Sequence, residues 1–231
     1  MAEPVFLITG AAGGIGAATA RRAAAAGYRL VLTGRDEARL TGLVAELGGP
    51  KRALGIRCDV QDWADQRAMI QRIVDTCGRL DVVFANAGVG GGSGFLHGEP
   101  TPELWRSMVL TNIFGVAATA RLALPALIES RGHLLLAGSV VGRVAIPGSF
   151  YSATKWAVTA MGECIRAEAI GTGVRVTVIE PGFVDTPLLT RRPEGPILEP
   201  DDVARAVLYA LQQRAHVDVN EVLIRPLGQA R

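Results

Sequence analysis

The sequence is poor in the residues that build disulfide-stabilised and metal-binding proteins. Its 231 residues include three cysteines and three histidines. The cysteines are odd in number and far apart, which favours reduced thiols in a cytoplasmic protein over disulfides or a zinc site; they are Cys58, Cys77 and Cys164. The histidines show no metal-ligand spacing, so we predict no metal site.

Neither an excess of charge nor a long apolar run is present. The chain has 24 basic and 22 acidic residues, and the scattered basic residues do not fit a nucleic-acid surface. No run approaches the roughly 18 apolar residues of a membrane-spanning helix. The N-terminal sequence MAEPVFLITG lacks the basic segment of a signal peptide. We therefore expect a cytoplasmic protein that binds neither nucleic acid nor membrane.

Short apolar segments alternate with longer amphipathic ones along the whole chain. Alternation of this kind predicts an α/β fold, a doubly wound sheet of about seven parallel strands with helices on both faces. No linker or change in composition divides residues 1–231, so we predict a single domain. The predicted strands are Val5–Thr9, Arg29–Thr33, Leu54–Cys58, Asp81–Ala85, His133–Ala137, Val174–Glu180 and Glu221–Ile224. The predicted helices lie near 14–26, 36–47, 62–77, 102–130, 150–170 and 201–214.

A glycine-rich turn follows the first strand in the sequence TGAAGGIG. Gly10 permits a sharp turn, Gly14 permits close approach of a pyrophosphate, and Gly16 permits close helix packing, with Ile15 between them. The start of the next helix then offers backbone amides and partial positive charge to phosphates. An ordinary glycine turn is the alternative interpretation.

The ends of the next strands carry candidate contacts to the rest of a dinucleotide. Arg35 follows the second strand, where an arginine suits the 2′-phosphate of NADP(H) and an acid would suit NAD(H). Alternatively, Arg35 is a solvated residue at a helix start, stabilised by Asp36 and Glu37. We favour NADP(H), with NAD(H) as the alternative. Further candidates at strand ends are Asp59 with Val60, near adenine, and Asn86, Ala87 and Gly88, near a ribose.

The segment FYSATKW places Tyr151 and Lys155 four residues apart, on one face of a predicted helix. A nearby ammonium favours the phenolate and lowers the pKa of a tyrosine. A tyrosine shifted towards neutrality can act as a general acid or base. The alternative is that both residues simply decorate an amphipathic helix.

Seven short motifs follow one another in the order TGAAGGIG, CDV, ANAG, TNIFG, GS, YSATK and EPGFVDT. This ordered set resembles the short-chain dehydrogenase/reductase family, with its Rossmann-type fold. The tail also resembles, less specifically, the NADP-dependent 3-hydroxy acid (serine-type) dehydrogenases. The family implies that Tyr151 exchanges a proton with the oxygen of a carbonyl or alcohol substrate. It implies that Lys155 holds the nicotinamide ribose and lowers the Tyr151 pKa.

The resemblance implies further roles at matching positions. Ser139 would donate a hydrogen bond to the substrate oxygen, and Asn112 would bind a water in a proton relay. Pro181, Gly182 and Thr186 would border the nicotinamide. Relatives pair through the helix before the fifth strand and the helix of Tyr151, which implies a homodimer or homotetramer. The small residues there are Ala117, Ala118, Ala120, Ala157 and Ala160, which packing within the chain would need equally.

Several positions depart from the family pattern. Ser139 and Tyr151 are twelve residues apart where thirteen is commonest, and Gly13 stands where many NADP-preferring relatives have a basic residue. Ala85 replaces a usual asparagine. The segment between Thr186 and Pro200 is short, which predicts a small or open substrate pocket. Arg143, Arg191 and Arg192 are candidates for binding a substrate carboxylate.

The leading hypothesis is an NADP(H)-dependent oxidoreductase that acts on a small-molecule ketone or secondary alcohol. An NAD(H)-dependent enzyme with the same mechanism is one alternative. A nucleotide-binding sensor or scaffold without turnover is another, although such a protein has little use for Ser139, Tyr151 and Lys155 together.

Overall fold

Seven parallel strands form one sheet in a computed structural model that describes residues 3–92, 94–99, 101–189 and 192–230. The strands lie in the order β3-β2-β1-β4-β5-β6-β7, and each neighbouring pair is parallel. The predicted doubly wound α/β fold is confirmed. The strands are β1 (Val5–Thr9), β2 (Arg29–Gly34), β3 (Ala53–Arg57), β4 (Val82–Ala85), β5 (His133–Ala137), β6 (Arg175–Pro181) and β7 (Glu221–Ile224).

Seven α-helices accompany the sheet in the described part of the chain. They are α1 (Gly14–Ala25), α2 (Glu37–Glu46), α3 (Trp63–Cys77), α4 (Pro102–Met108), α5 (Val116–Ser130), α6 (Phe150–Glu168) and α7 (Pro200–Leu211). Side chains of α1, α2 and α7 share one buried apolar cluster with the sheet. Side chains of α3, α5 and α6 share the cluster on the opposite face. The near-continuous apolar strands are therefore covered on both sides, as parallel sheets require.

Helix starts follow local capping chemistry. The Asp62 carboxylate accepts from the amides of Ala64 (2.7 Å) and Asp65 (3.1 Å) at the start of α3. Ser149 accepts from the Ser152 amide (3.0 Å) at the start of α6, and so fixes where the helix of Tyr151 begins. The start of α6 coincides with the predicted residue 150.

The predicted helix 102–130 is interrupted. Residues Val109–Gly115 form a π-helical segment between α4 and α5. By length and composition alone, the continuous run Pro102–Ser130 is apolar enough to cross a membrane, although half of its most apolar window is buried. Val116, Ala120 and Leu127 lie in the apolar cluster against the sheet, so this run packs as a core helix.

Candidate active site

The sequence-predicted site residues gather at the carboxyl edge of the sheet. The strand order reverses between β1 and β4, because β2 lies on one side of β1 and β4 on the other. In open parallel sheets, the crevice outside the strand ends at such a switch point is where ligands bind. The glycine turn follows β1 there, and the segments after β4, β5 and β6 lie beside it.

The glycine turn has the shape of a phosphate cradle. Gly10 and Gly14 have φ angles of +63° and +52°, a left-handed conformation that side chains disfavour. A side-chain carbon at Gly16 would lie 2.4 Å from the Gly10 carbonyl oxygen. Helix α1 starts without a side-chain cap and without an acidic residue in its first turn. Its free amides therefore fit an anion such as a pyrophosphate.

Asn86 fixes the glycine turn to the end of β4. Its side-chain amide donates to the carbonyl oxygens of Thr9 (2.9 Å) and Gly10 (3.2 Å). The Thr9 hydroxyl in turn accepts from the backbone amides of Asn86 (3.0 Å) and Ala87 (3.1 Å). The Asn86 side chain therefore shapes the cradle, and the backbone of Asn86 and Ala87 is held beside it by Thr9.

Arg35 is exposed next to the glycine turn. A carbon at Gly34 would lie 3.8 Å from Ala12 Cβ, within that turn. Asp36 is engaged elsewhere, since it accepts from the Arg39 amide (3.0 Å) and pairs with the Arg39 guanidinium (3.3 Å). Within the described residues no acid pairs with Arg35. The exposed Arg35 fits both the phosphate-binding interpretation and the alternative of a solvated residue at a helix start.

Asp59 and Val60 follow β3. One oxygen of the Asp59 carboxylate accepts from the Gln61 amide (3.0 Å), which shapes the local turn. Val60 is buried, and its carbonyl accepts from the Gln66 side chain (2.6 Å). This short turn holds Asp59 at the same edge of the sheet as Arg35.

Ser139, Tyr151 and Lys155 meet beyond β5. The Ser139 hydroxyl is hydrogen-bonded to Tyr151. Lys155 is buried, its ammonium donates to the Ala137 carbonyl (2.7 Å), and it lies 5.5 Å from the centroid of the Tyr151 ring. The one-turn spacing on α6 thus brings the phenol and the ammonium to one place, as the sequence predicts.

The pKa values of this group differ from the sequence expectation. Burial raises the pKa of Tyr151 above its usual value, and the hydrogen bond with Ser139 lowers it. Burial lowers the pKa of Lys155 to about 8. The predicted depression of the Tyr151 pKa by Lys155 is therefore not found, because burial is the largest influence on the phenol. The Lys155 ammonium is instead hydrogen-bonded to the Ala137 carbonyl.

Asn112 lies in the π-helical segment and is buried. Its side-chain oxygen accepts from the Val89 amide (2.9 Å), and its nitrogen donates to the Val89 carbonyl (2.8 Å) and to the Thr154 hydroxyl (3.0 Å). The Asn112 side chain therefore joins the segment after β4 to α6. Both N–H groups of the Asn112 side chain are used by these contacts, so the side chain has none left to donate to the predicted water.

The segments after β4 and β6 close around Lys155 and the glycine turn. A carbon at Gly88 would lie 3.5 Å from Asn112 Oδ1 and 3.9 Å from Lys155 Nζ. A carbon at Gly14 would lie 3.1 Å from Thr186 Cγ2. Thr186 therefore adjoins the phosphate cradle, and Gly88 adjoins the buried ammonium. Pro181 ends β6, and the Gly182 amide donates to the Ile224 carbonyl (2.8 Å).

Apolar side chains border Tyr151. A carbon at Gly90 would lie 3.2 Å from the Tyr151 ring and 3.3 Å from Leu188. Leu188, which is 41 % exposed, therefore lies on the same side of Gly90 as the Tyr151 ring. Phe150 stacks on Trp105 with ring centroids 5.1 Å apart, and Phe95 lies 5.4 Å from Trp105. The described parts of the segment between Thr186 and Pro200 contain no helix.

Arg143 is not available as a carboxylate-binding residue. Its guanidinium pairs with Glu180 (2.8 Å) and with Glu221. Arg192 pairs with Asp185 (3.4 Å). Arg191 lies outside the described residues. The prediction for Arg143 is therefore wrong, because two acids at the end of the sheet already satisfy it.

Sequence reasoning missed Glu180 and Thr159. Glu180 is 0 % exposed, and the Thr159 hydroxyl donates to it (3.1 Å). The available signal is the acid in the apolar strand sequence VTVIEP, since a buried carboxylate requires partners. The glycine cradle at a switch point, with Tyr151 beside the buried Lys155, defines a Rossmann-type dinucleotide-binding protein.

Comparison with known proteins assigns the family. The family model described as short chain dehydrogenase matches residues 4–196. An uncharacterized oxidoreductase of Staphylococcus saprophyticus is 37 % identical over 97 % of this chain and 98 % of its own. The chain therefore belongs to the short-chain dehydrogenase family and is an NAD(P)-dependent oxidoreductase.

Solved structures share the whole fold. An alcohol dehydrogenase from Thermococcus sibiricus, complexed with 5-hydroxy-NADP, is 32 % identical with a TM-score of 0.89 over 99 % of both chains. A 3-ketoacyl-(acyl-carrier-protein) reductase from Brucella melitensis, complexed with NADH, is 28 % identical with a TM-score of 0.88 over 97 % of both chains. Both nicotinamide cofactors therefore occur on this fold.

Proposed function

We propose that the protein is an NADP(H)-dependent oxidoreductase that interconverts a ketone and a secondary alcohol, with Tyr151 as the acid/base. The observation that carries this proposal is that the Tyr151 phenol is hydrogen-bonded to the Ser139 hydroxyl, while the buried Lys155 ammonium lies 5.5 Å from the centroid of its ring. The cofactor, when bound, supplies or accepts the hydride at its nicotinamide ring. The protein supplies position and the proton.

Different residues of the crevice bind different parts of the cofactor. The turn of Gly10, Gly14, Ile15 and Gly16 holds the pyrophosphate at the start of α1. Arg35 binds the 2′-phosphate by charge-assisted hydrogen bonds, and the exposed, unpaired guanidinium supports this role. The remaining contacts are proposed for Asp59 and Val60 at adenine, Asn86, Ala87, Gly88 and Lys155 at the ribose side, and Pro181, Gly182 and Thr186 at the nicotinamide.

Two hydroxyls act on the substrate oxygen. Reduction of a ketone places negative charge on that oxygen, and hydrogen bonds from Ser139 and Tyr151 stabilise it as it forms. Tyr151 then delivers its proton. In alcohol oxidation Tyr151 acts as its phenolate, stabilised by the nearby Lys155 ammonium, and becomes the phenol when it takes the alcohol proton. Asn112 holds Val89 and Thr154 in place around this group, and its backbone serves the proton relay.

The apolar border of Tyr151 supports an uncharged substrate. Leu188 and the Tyr151 ring both adjoin Gly90, and Phe95 lies near the aromatic pair of Trp105 and Phe150. Arg143, in contrast, is paired with two acids. A neutral ketone is therefore expected to turn over faster than the keto acid of the same length. Paired kinetics on two such substrates test this, and a faster keto acid would contradict it.

NAD(H) remains the alternative cofactor. Gly13, which precedes α1, offers no basic side chain to a 2′-phosphate, and a relative of this fold was solved with NADH. Titration of the protein with NADPH and NADH, followed by intrinsic fluorescence, decides between them. Tighter NADPH binding supports Arg35 as the phosphate-binding residue, while equal or reversed affinities would remove that role.

We also propose a homodimer or homotetramer in the cytoplasm. Ala118 and Ala120 are buried within the chain, whereas Ala160 and Trp156 on α6 are exposed. The exposed face of α6 is therefore the candidate interface. Sedimentation equilibrium tests it, and a monomer at micromolar concentration would contradict it.

The enzymatic proposal is tested by turnover. Purified protein is expected to oxidise NADPH in the presence of neutral ketones. Ser139→Ala is expected to reduce kcat by about 100-fold or more without weakening NADPH binding. Undiminished turnover in Ser139→Ala would exclude the proposed role of its hydroxyl.

A further inference from the structure

A buried ionic cluster lies directly behind the catalytic hydroxyls. Glu180 is the sixth residue of β6 and precedes Pro181. Its side chain is fully buried. An isolated carboxylate in this position is strongly unfavourable, so its partners are required for the strand end to form as it does.

The carboxylate has two partners from two different segments. The Arg143 Nε donates to both Glu180 oxygens, at 2.8 Å and 3.0 Å. The Thr159 hydroxyl donates to one of them at 3.1 Å. The Arg143 guanidinium also pairs with Glu221 on β7. Glu180 is thereby neutralised and hydrogen-bonded inside the fold.

Each partner belongs to a segment that carries a catalytic group. Arg143 follows the 3₁₀ turn Val140–Gly142, which Ser139 begins. Thr159 lies one turn after Lys155 on α6, and its hydroxyl also approaches the Gly142 carbonyl (3.4 Å). Pro181, next to Glu180, has a carbonyl that accepts from the Ser139 hydroxyl (3.4 Å).

The three segments are in tight contact around this cluster. A carbon at Gly142 would lie 2.7 Å from the Lys155 carbonyl and 2.8 Å from the Thr159 hydroxyl. A carbon at Gly138 would lie 2.7 Å from Val178 Cγ1 and 3.0 Å from Glu180 Cγ. The turn that carries Ser139 is therefore pressed against both α6 and β6, and its position depends on theirs.

We propose that Glu180 and Arg143 are positioning residues that hold the Ser139 turn in register with Tyr151 on α6. Neither contacts substrate or cofactor in this role. The proposal rests on the proposed function of Ser139 and Tyr151. Because the proposed phosphate-binding groups, the glycine cradle and Arg35, follow β1 and β2 and the cluster lies between β5, α6 and β6, loss of the cluster lowers kcat by a much larger factor than it weakens nucleotide binding.

The first test is Glu180→Gln. The amide keeps the shape but turns one acceptor into a donor, which faces the Arg143 guanidinium and opens the pairing. We expect kcat to fall about 10- to 100-fold, as for misplacement of a catalytic group by about 1 Å. The dissociation constant for NADPH is expected to stay within about twofold of wild type.

The pH–rate profile gives a readout that a merely structural role would not move. The Ser139 hydrogen bond lowers the Tyr151 pKa. Displacement of Ser139 therefore raises the apparent pKa of alcohol oxidation and moves the rising limb to higher pH. Thr159→Val, which removes one hydrogen bond from Glu180, is expected to give a smaller shift in the same direction.

A double variant separates positioning from folding. Arg143→Met with Glu180→Met replaces the buried pair by apolar groups of similar length, which is often neutral for stability. It is expected to unfold near the wild-type temperature and still show the reduced kcat. Arg22→Gln, which removes the distant Arg22–Asp201 pair between α1 and α7, is the matched control and is expected to keep wild-type kcat.

The outcomes are distinguishable. If Glu180→Gln keeps the wild-type kcat and the rising limb of its pH–rate profile does not move, the positioning role is overturned and the proposed function stays intact. An equal loss of kcat and NADPH affinity would overturn the positioning role in the same way. If the wild-type protein reduced no ketone, the proposed function would fail, and a crystal structure of Glu180→Gln would then decide the inference. An unchanged contact between Ser139 and Tyr151 in that structure would refute it, and a lengthened contact would support it.

Discussion

Lys155 is a charged group buried at a cost to stability, and its removal is expected to stabilise the protein. Burial lowers the pKa of Lys155 to about 8 from its ordinary value of 10.5. A difference of this size corresponds to roughly 3 kcal/mol of unfavourable free energy when the amine is protonated in the folded protein. Lys155→Met removes this term.

Two favourable contacts are lost at the same time. The Ala137 carbonyl loses its hydrogen bond from Lys155 (2.7 Å), which costs about 1 kcal/mol. The contact with the Tyr151 ring (5.5 Å to the centroid) contributes a further ~0.5 kcal/mol. The net expectation at pH 7 is a gain of about 1–2 kcal/mol in the free energy of unfolding, or about 2–8 °C in Tm for a chain of this size.

The gain in stability expected for Lys155→Met depends on pH. The unfolded chain binds a proton at Lys155 up to about pH 10.5, while the folded protein releases it near pH 8. Wild-type stability therefore rises relative to that of Lys155→Met between pH 8 and 10.5. The advantage of the variant is full below pH 8 and disappears above pH 10.5.

Urea denaturation of both proteins at pH 7 and pH 10, without added nucleotide, measures this difference. Lys51→Met, at the only other lysine in the sequence, is the matched control; it is exposed and is expected to change stability by less than about 0.5 kcal/mol. If Lys155→Met is less stable than wild type at pH 7, or if the difference does not shrink with rising pH, the desolvation account of this site is refuted.

Three further changes test other parts of the account. Arg35→Ser is expected to weaken NADPH binding about 10- to 100-fold and leave NADH binding unchanged, with Arg39→Ser as the control; equal effects on both nucleotides would exclude the phosphate role. Gly16→Ala places a carbon 2.4 Å from the Gly10 carbonyl and is expected to abolish nucleotide binding, whereas Gly42→Ala, with nothing within 4 Å, retains it. Burial lowers the pKa of His133 to about 3, so wild-type stability falls as pH drops below 6.5, by about 2 kcal/mol at pH 5. His133→Gln removes that loss, and parallel pH dependences of urea midpoints for the two proteins would contradict it.

The sheet and its order of elements were predictable because they depend on local pattern. Apolar runs bounded by turns mark buried parallel strands, and all seven strands occur within one or two residues of the predicted bounds. Boundary shifts arise where capping decides the end, as at α7, which begins at Pro200 and ends at Leu211. The π-helical segment Val109–Gly115 was not predicted, since an inserted residue leaves the apolar pattern almost unchanged.

The site was predictable in its residue types and less so in its contacts. The spacing of Tyr151 and Lys155 placed both on one face of α6, but it did not reveal that burial dominates their pKa values. Arg143 was taken as a free cation because its partners, Glu180 and Glu221, are distant in sequence. Pairings of this kind follow from the tertiary fold and leave no local pattern.

The most direct test of the central claim is transfer of deuterium from NADPH labelled at the reactive nicotinamide carbon to a neutral ketone, followed by mass spectrometry of the alcohol. The account predicts labelled alcohol with the wild-type protein. It predicts none above background with Tyr151→Phe, although this variant binds NADPH with unchanged affinity. The account is contradicted if Tyr151→Phe forms labelled alcohol at the wild-type rate. It is also contradicted if wild-type protein binds NADPH but transfers no deuterium to any of a range of neutral ketones.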